Sequence, residues 1–278
     1  MTTPEDTSPD IETTGAFGDC VICARRHSLP VGQARAYALE VMEEFKSLQR
    51  LDHLACEADA DPRLEFATLF ATRGNMFGVM ECVAEDGETV FLRAFSALTG
   101  GLRDIDGWVG PVLGEALYDE VILPAQREIK TLTAEMKTLK AKGSAVDETW
   151  ARRREVSQML WKRMCAEYKF QNFRGEIRSL EDAVLPGVPL VGGMGECCAP
   201  KLLNHAARNG LRPIGIAEFY WGKPTVSLQD VKSDKPSEQT GAEARPSVES
   251  RRVPGNFYPS CESRCQPILG FMLCGLDA

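Results

Sequence analysis

The chain has 278 residues, 44% of them hydrophobic, and a formal net charge of −8. That length supports a real core, and the acidic balance excludes a generic polyanion binder, so any nucleic-acid contact must use a local basic patch. No run of about 18 apolar residues occurs, which excludes a transmembrane helix.

No basic-then-apolar leader is visible at the start, and ten cysteines in such a chain read as reduced thiols, metal ligands or both. The expectation is a cytoplasmic protein with no membrane partner. Residues 1–15 are polar and rich in Pro, Thr, Asp and Glu, which predicts a disordered tail. Residues 16–278 then form one α/β domain.

Cys20-Val21-Ile22-Cys23 follows, with His27 four residues on. A lone Cys-x-x-Cys is half of a zinc site. His27 could be a third ligand and Cys56 a fourth, and the alternative is a chance pair in a partly exposed loop. Residues 31–56 place Ala34, Ala36, Ala38, Leu39, Val41, Met42, Phe45, Leu48 and Leu51 in a helical pattern on good helix formers. The stretch 76–96 reads as two strands around Asp86-Gly87, a hairpin signal.

Residues 116–180 are expected to be a helical-hairpin insertion. Ile129, Leu132, Met136 and Leu139 recur at spacings of three and four, Lys142-Gly143-Ser144 breaks the run, and Trp150, Val156, Leu160 and Met164 resume it. The second arm carries Arg152, Arg153, Arg154, Lys162 and Arg163, with Arg174 beyond it. In an acidic chain this is the concentrated basic surface. It reads either as a phosphate-contacting face built on Arg152, Arg153, Arg154 and Arg174 or as a solvated helix side.

The most informative run is Val191-Gly192-Gly193-Met194-Gly195-Glu196-Cys197-Cys198-Ala199-Pro200. Proline fits the first turn of a helix, where its missing N–H would be unpaired in any case. Leu202, Leu203, Ala206 and Ala207 continue at helical spacing to Gly210, which suits a left-handed cap. Cys197 and Cys198 therefore sit at a helix start, where the free N–H groups and the dipole favour a thiolate. Residues 213–221 read as a buried strand carrying Glu218. Residues 226–256 are almost free of apolar side chains and are expected to be a flexible loop. Cys261 and Cys265 then precede the apolar run Ile268 to Leu273, another helix with Pro267 near its start.

Three thiolates drawn from Cys197 (or Cys198), Cys261 and Cys265 could hold zinc with one position open for water. Buried reduced thiols packed as small hydrophobes are the alternative. A ligand at one helix start, a strand, then a cysteine pair at the next helix start resembles the zinc-dependent nucleobase deaminases. Those enzymes place a glutamate two residues after the first ligand and use Pro-Cys-x-x-Cys. Here Ala199 and Pro200 occupy the glutamate positions, and the pair is Cys-x-x-x-Cys. Glu196 and Glu218 are the candidate acids.

The same runs resemble the N-terminal accessory region of certain bacterial RluA-type RNA pseudouridine synthases. Gly195 to Leu203, Leu211 to Gly222, and Phe257-Tyr258-Pro259-Ser260-Cys261 with Cys265 and Pro267-Ile268-Leu269 carry the resemblance. Gly74 to Met80, Ala94-Phe95-Ser96, the helical stretch from Ile129 and Arg152 to Glu176 extend it upstream. Val253-Pro254-Gly255-Asn256 departs from the basic, His-containing stretch usual there.

The catalytic domain of those enzymes carries Arg-Leu-Asp with a nucleophilic Asp. Here the only such triplet is Arg50-Leu51-Asp52, which reads as coincidence on a helix. The resemblance implies an RNA-modification setting and not pseudouridine synthesis by this chain.

The resulting expectation is an α/β fold, a mixed sheet flanked by helices, with a deaminase-like core and a helical-hairpin insertion. The expected function is a zinc-binding, deaminase-like domain acting on RNA or a nucleotide, with Glu196 or Glu218 catalytic and Cys197, Cys198, Cys261 and Cys265 as candidate ligands. The alternative is a non-catalytic RNA-binding accessory module that works beside a separate pseudouridine synthase catalytic chain.

Overall fold

In the computed structural model, residues 14–96, 99–225 and 252–276 are described. Most of the expected tail and loop, residues 1–13 and 226–251, lie outside that set. In chain order the main elements are β1 (Thr14–Asp19), β2 (Arg26–Pro30), α1 (Ala34–Leu48), β3 (Asn75–Val83) and β4 (Thr89–Phe95). There follow α2 (Leu123–Ala141), α3 (Asp147–Glu167), β5 (Phe170–Gln171), β6 (Ile177–Arg178), α4 (Cys198–Arg208), β7 (Arg212–Trp221) and α5 (Gln266–Leu273). The protein is thus mixed α/β, with small antiparallel sheets and several helices.

The principal sheet has the order β4-β3-β7. The β3–β4 hairpin closes through Asp86-Gly87, with Gly87 at φ 86° and Val83 opposite Thr89. Strand β7 runs antiparallel to β3 on its other side, with a register shift where Glu81 and Cys82 face Gly215 and Pro213. Proline lacks the ladder N–H and is accommodated at such an irregularity. A mixed sheet was expected, yet every pairing among the described strands is antiparallel. Periodicity marks a strand but not its direction, which follows from the path of the connections.

Strand alternation gives the sheet two apolar faces. Phe77, Val79, Phe95, Ala217 and Phe219 pack with Ala34, Val41 and Phe45 of α1. Met76, Met80, Ala94, Ile216 and Tyr220 pack with Leu202 and Leu203 of α4 and Ile268, Leu269 and Met272 of α5. Glu218 has the parity of the second set and so reaches α4. Gly78 makes the close approach possible, since a Cβ there would lie 2.6 Å from Cys198 Cβ.

Helix α1 ends earlier than its apolar pattern suggested. Gln49 takes the left-handed conformation and its N–H bonds Phe45 O. Arg50 leaves the helix to bridge Glu65, and Asp52 Oδ2 accepts from Asp61 N at 2.8 Å. The Arg-Leu-Asp triplet therefore lies in a structural turn beyond the helix. Helices α2 and α3 pack on each other, and α3 buries only Val156 and Cys165. No helix among the described residues is long and apolar enough to cross a membrane.

Candidate metal centres and the cleft between two helix starts

The approach to α4 needs glycine. Gly195 has φ 85°, and a Cβ there would lie 2.8 Å from Phe170 and 2.9 Å from Tyr168. Past this bend Cys197, in extended conformation, caps α4. Cys265 occupies the same position for α5, and its N–H bonds Cys261 O at 3.0 Å. The sulfurs of Cys197, Cys261 and Cys265 all lie within 4.8 Å of one another, with Cys261 and Cys265 3.4 Å apart. Tetrahedral zinc with sulfur at about 2.3 Å needs sulfurs about 3.8 Å apart, so the trio fits such an ion. Hydrogen bonds from Cys197 and Cys265 hold the Cys261 thiol well below its ordinary value.

The trio opens on a cleft of about 270 Å³, also bordered by Glu196, Glu218, Arg73, Arg252 and Arg264. Glu218 is buried. Its Oε1 accepts the Ala199 N–H at 2.9 Å, and Ser260 Oγ donates to its Oε2 at 3.2 Å. Burial pushes the Glu218 carboxyl up to about 7, and the nearby Cys261 charge adds to this against the two hydrogen bonds. Glu196 borders the same cleft in a different setting. It accepts the Tyr168 hydroxyl at 2.5 Å and lies 3.8 Å from the Arg103 guanidinium.

The two cysteines at the start of α4 part company. Cys198 Sγ turns into the sheet and reaches Met76 O at 3.4 Å, away from the trio. Burial raises its thiol far above the usual range, as it raises Cys82 to about 12 and Cys165 to about 11. These three behave as packing residues.

A second cluster joins the chain's two ends. Cys20, Cys23, His27 and Cys274 place one ligand atom each within 4.8 Å of the others. Cys56, the expected fourth partner of the Cys-x-x-Cys, is exposed and donates to Asp59 Oδ2 at 2.9 Å. Cys274 takes its place. Both clusters could hold a metal ion, and their donors, thiols in one and thiols with an imidazole in the other, are of the kind that suits zinc.

The arginines of α3 are occupied within the helical hairpin. Arg152 donates to Glu128 at 2.9 Å and to Glu155 at 3.0 Å, and Arg153 to Thr133 at 2.8 Å. Arg154 lies over the Trp150 ring at 5.4 Å. Arg174 sits apart, exposed at the β5–β6 turn. In contrast, Arg73, Arg252 and Arg264 at the cleft have no carboxylate ion pair among the described residues.

The sequence reading did not single out Cys274, Ser260, Tyr168, Arg103 or Lys201. Ser260 directly precedes Cys261 and was within reach of the motif. Lys201 is almost wholly buried in α4, with Nζ 3.0 Å from Phe95 O, and burial lowers its ammonium pKa. Its place among apolar helix positions was the available signal. No protein-family model, curated protein or solved structure matches the chain.

Proposed function

We propose that the chain is a zinc-dependent hydrolytic deaminase acting on a nucleobase carried by a nucleotide or RNA. The observation that carries this reading is Glu218, a buried carboxyl poised near neutrality beside a three-cysteine set that leaves one side facing a cleft. Structural zinc sites close all four positions with protein, whereas catalytic sites keep one for water.

The element order supports the same reading. A hairpin, a helix with a ligand at its start, a strand, and a cysteine pair opening the next helix succeed one another, as in the nucleobase deaminases. The missing glutamate of the deaminase signature has a substitute. The residue two places after Cys197 is Ala199, and its N–H binds the Glu218 carboxylate. The acid thus reaches the same turn of α4 from the neighbouring strand.

Zinc held by Cys197, Cys261 and Cys265 would supply a water with its pKa lowered to about 7. Glu218 takes a proton from the attacking water and delivers it to the ring nitrogen of the amidine. Glu218 then passes the proton of the remaining hydroxyl to the amino group, which leaves as ammonia when the C–N bond breaks, and a carbonyl remains. One water is consumed and no electrons are exchanged. A carboxyl that ionises near the working pH can both accept and return a proton. Glu196 is paired with Tyr168 and Arg103, so its part is to fix the cleft wall. Arg73, Arg252 and Arg264 fit a phosphate at the rim.

The tie to RNA modification rests on the resemblance to the RluA-type accessory region. A non-catalytic accessory module would rely on the α3 arginines, two of which are spent inside the hairpin, so the deaminase reading is preferred. The test is ammonia release by zinc-loaded protein from cytosine- and adenine-containing nucleotides, single-stranded RNA and DNA. Release from at least one, absent in zinc-free protein, is expected. Silence on all of them would contradict the proposal.

A further inference from the structure

We propose that Cys20, Cys23, His27 and Cys274 form a second, structural zinc site that fastens the β1–β2 hairpin to the end of α5. This site is independent of the proposed activity.

The turn between β1 and β2 is shaped as a ligand loop. Ala24 N–H bonds Cys20 O at 3.0 Å, and Cys20 N–H bonds Arg25 O at 2.8 Å. The Ile22 N–H points at Cys20 Sγ at 3.4 Å. Backbone donors to a sulfur stabilise its thiolate and orient it, which is what the surroundings of a metal ligand do. Ala24 adopts φ 52°, a left-handed conformation that a residue with a side chain rarely takes. Such a local outlier persists where the surrounding structure demands it, and here it folds the turn so that Cys20 and Cys23 face the same point.

Cys274 arrives from the far end of the chain through a close backbone contact. A Cβ on Gly270 would lie 2.2 Å from Asp19 O, and one on Gly18 would lie 2.4 Å from Gly270 N. Strand β1 and helix α5 therefore touch backbone to backbone through Gly18 and Gly270. That contact sets Cys274, which caps α5, beside the turn.

The distances suit zinc. Cys23 Sγ is 3.0 Å from His27 Nε2 and 4.0 Å from Cys274 Sγ. A tetrahedral Cys₃His site implies about 3.6 Å for sulfur to nitrogen and about 3.8 Å for sulfur to sulfur. Cys20, His27 and Cys274 are buried and Cys23 is partly so. Four protein donors fill a tetrahedron and leave no position for water, which makes the site structural. A disulfide would instead need two sulfurs about 2.05 Å apart, and all these thiols are free.

The experiment uses the full chain, purified with a thiol reductant and without chelator, and counts zinc by elemental analysis. Two zinc ions per chain are expected. The Cys261→Ser/Cys265→Ser variant should retain one, and X-ray absorption at its zinc edge should show three sulfur neighbours and one nitrogen. The Cys20→Ser/Cys23→Ser variant should lose one zinc and unfold at a lower temperature. If that variant does not fold, the retained ion in the first variant still decides the matter. Loss of all zinc from Cys261→Ser/Cys265→Ser, a retained ion lacking the three-sulfur, one-nitrogen shell, or a Cys23–Cys274 disulfide in the reduced wild-type protein would overturn the proposal. Failure of the deaminase reading would show as absent ammonia release or an empty trio, with this second ion still in place.

Discussion

Glu218 and Glu196 show how setting decides the role of a carboxylate. Both border one cleft, but Glu218 is buried with a neutral hydroxyl and one N–H, whereas Glu196 has a phenol and a guanidinium. Burial raises the Glu218 carboxyl toward neutrality even though the Arg252 charge acts against it, and a carboxyl near neutrality is what a proton shuttle needs. Arg252 and Arg264 provide the matching test of substrate binding. Changing either to Ala should raise KM for a phosphorylated substrate several-fold and leave kcat nearly unchanged, whereas Arg152→Ala should alter neither. Steady-state kinetics on the three variants checks this.

His53 offers a prediction about stability alone. Burial lowers its pKa, with the Arg93 charge acting in the same direction. The unfolded chain then binds the proton first, so stability is full above the ordinary value of about 6.5 and falls as the pH drops below it. Urea midpoints taken from pH 7.5 down to pH 5.0 should fall more steeply for the wild type than for His53→Asn. Parallel curves would contradict this.

At the scale of the element, the β3–β7 pair and α4 are held at a separation that only glycine permits. Gly78→Ala would drive a methyl into Cys198 Cβ, 2.6 Å away, in a layer already close-packed. Overpacking of this kind costs about 1–3 kcal/mol, and denaturant unfolding should read a loss in that range. Because the shift would move the start of α4, the same variant should also bind zinc at the trio more weakly.

Local chemistry made these elements readable. Gly87 marked the hairpin, Pro200 and Pro267 marked helix starts, and cysteines beside those prolines marked the cleft. The end of α1 was less readable because Gln49, not a glycine, takes the left-handed cap. The antiparallel direction of β7 was not readable, since alternation is the same in either direction.

At the scale of the molecule, chain ends and middle meet in ways that spacing does not reveal. Cys23 and Cys274 are 251 positions apart, and nothing local to either names the other. The Cys-x-x-Cys pointed to half of a site, while its completion depended on Gly18 and Gly270 letting β1 and α5 touch. The trio was easier to find because two of its members lie four residues apart and the third begins the helix packed alongside. Charge shows the same difference of scale. The molecule is acidic overall at −8, yet three arginines border its cleft, while the basic run that stood out in the sequence is largely absorbed by its own hairpin. The two proposed zinc sites should also differ in how they release the ion. A moderate chelator should empty the open trio first, abolishing ammonia release before any change in far-ultraviolet circular dichroism. Simultaneous loss of activity and fold would contradict the division into an open and a closed site.

The most direct measurement compares wild-type protein with Glu218→Gln at equal zinc content on whichever base-containing substrate releases ammonia. The substitution keeps the shape of the side chain and its bond from Ala199 but removes the titratable proton. The account predicts unchanged zinc and a fall in kcat of about 10²-fold or more. Undiminished ammonia release by Glu218→Gln would show that Glu218 does not carry the proton and would contradict the account.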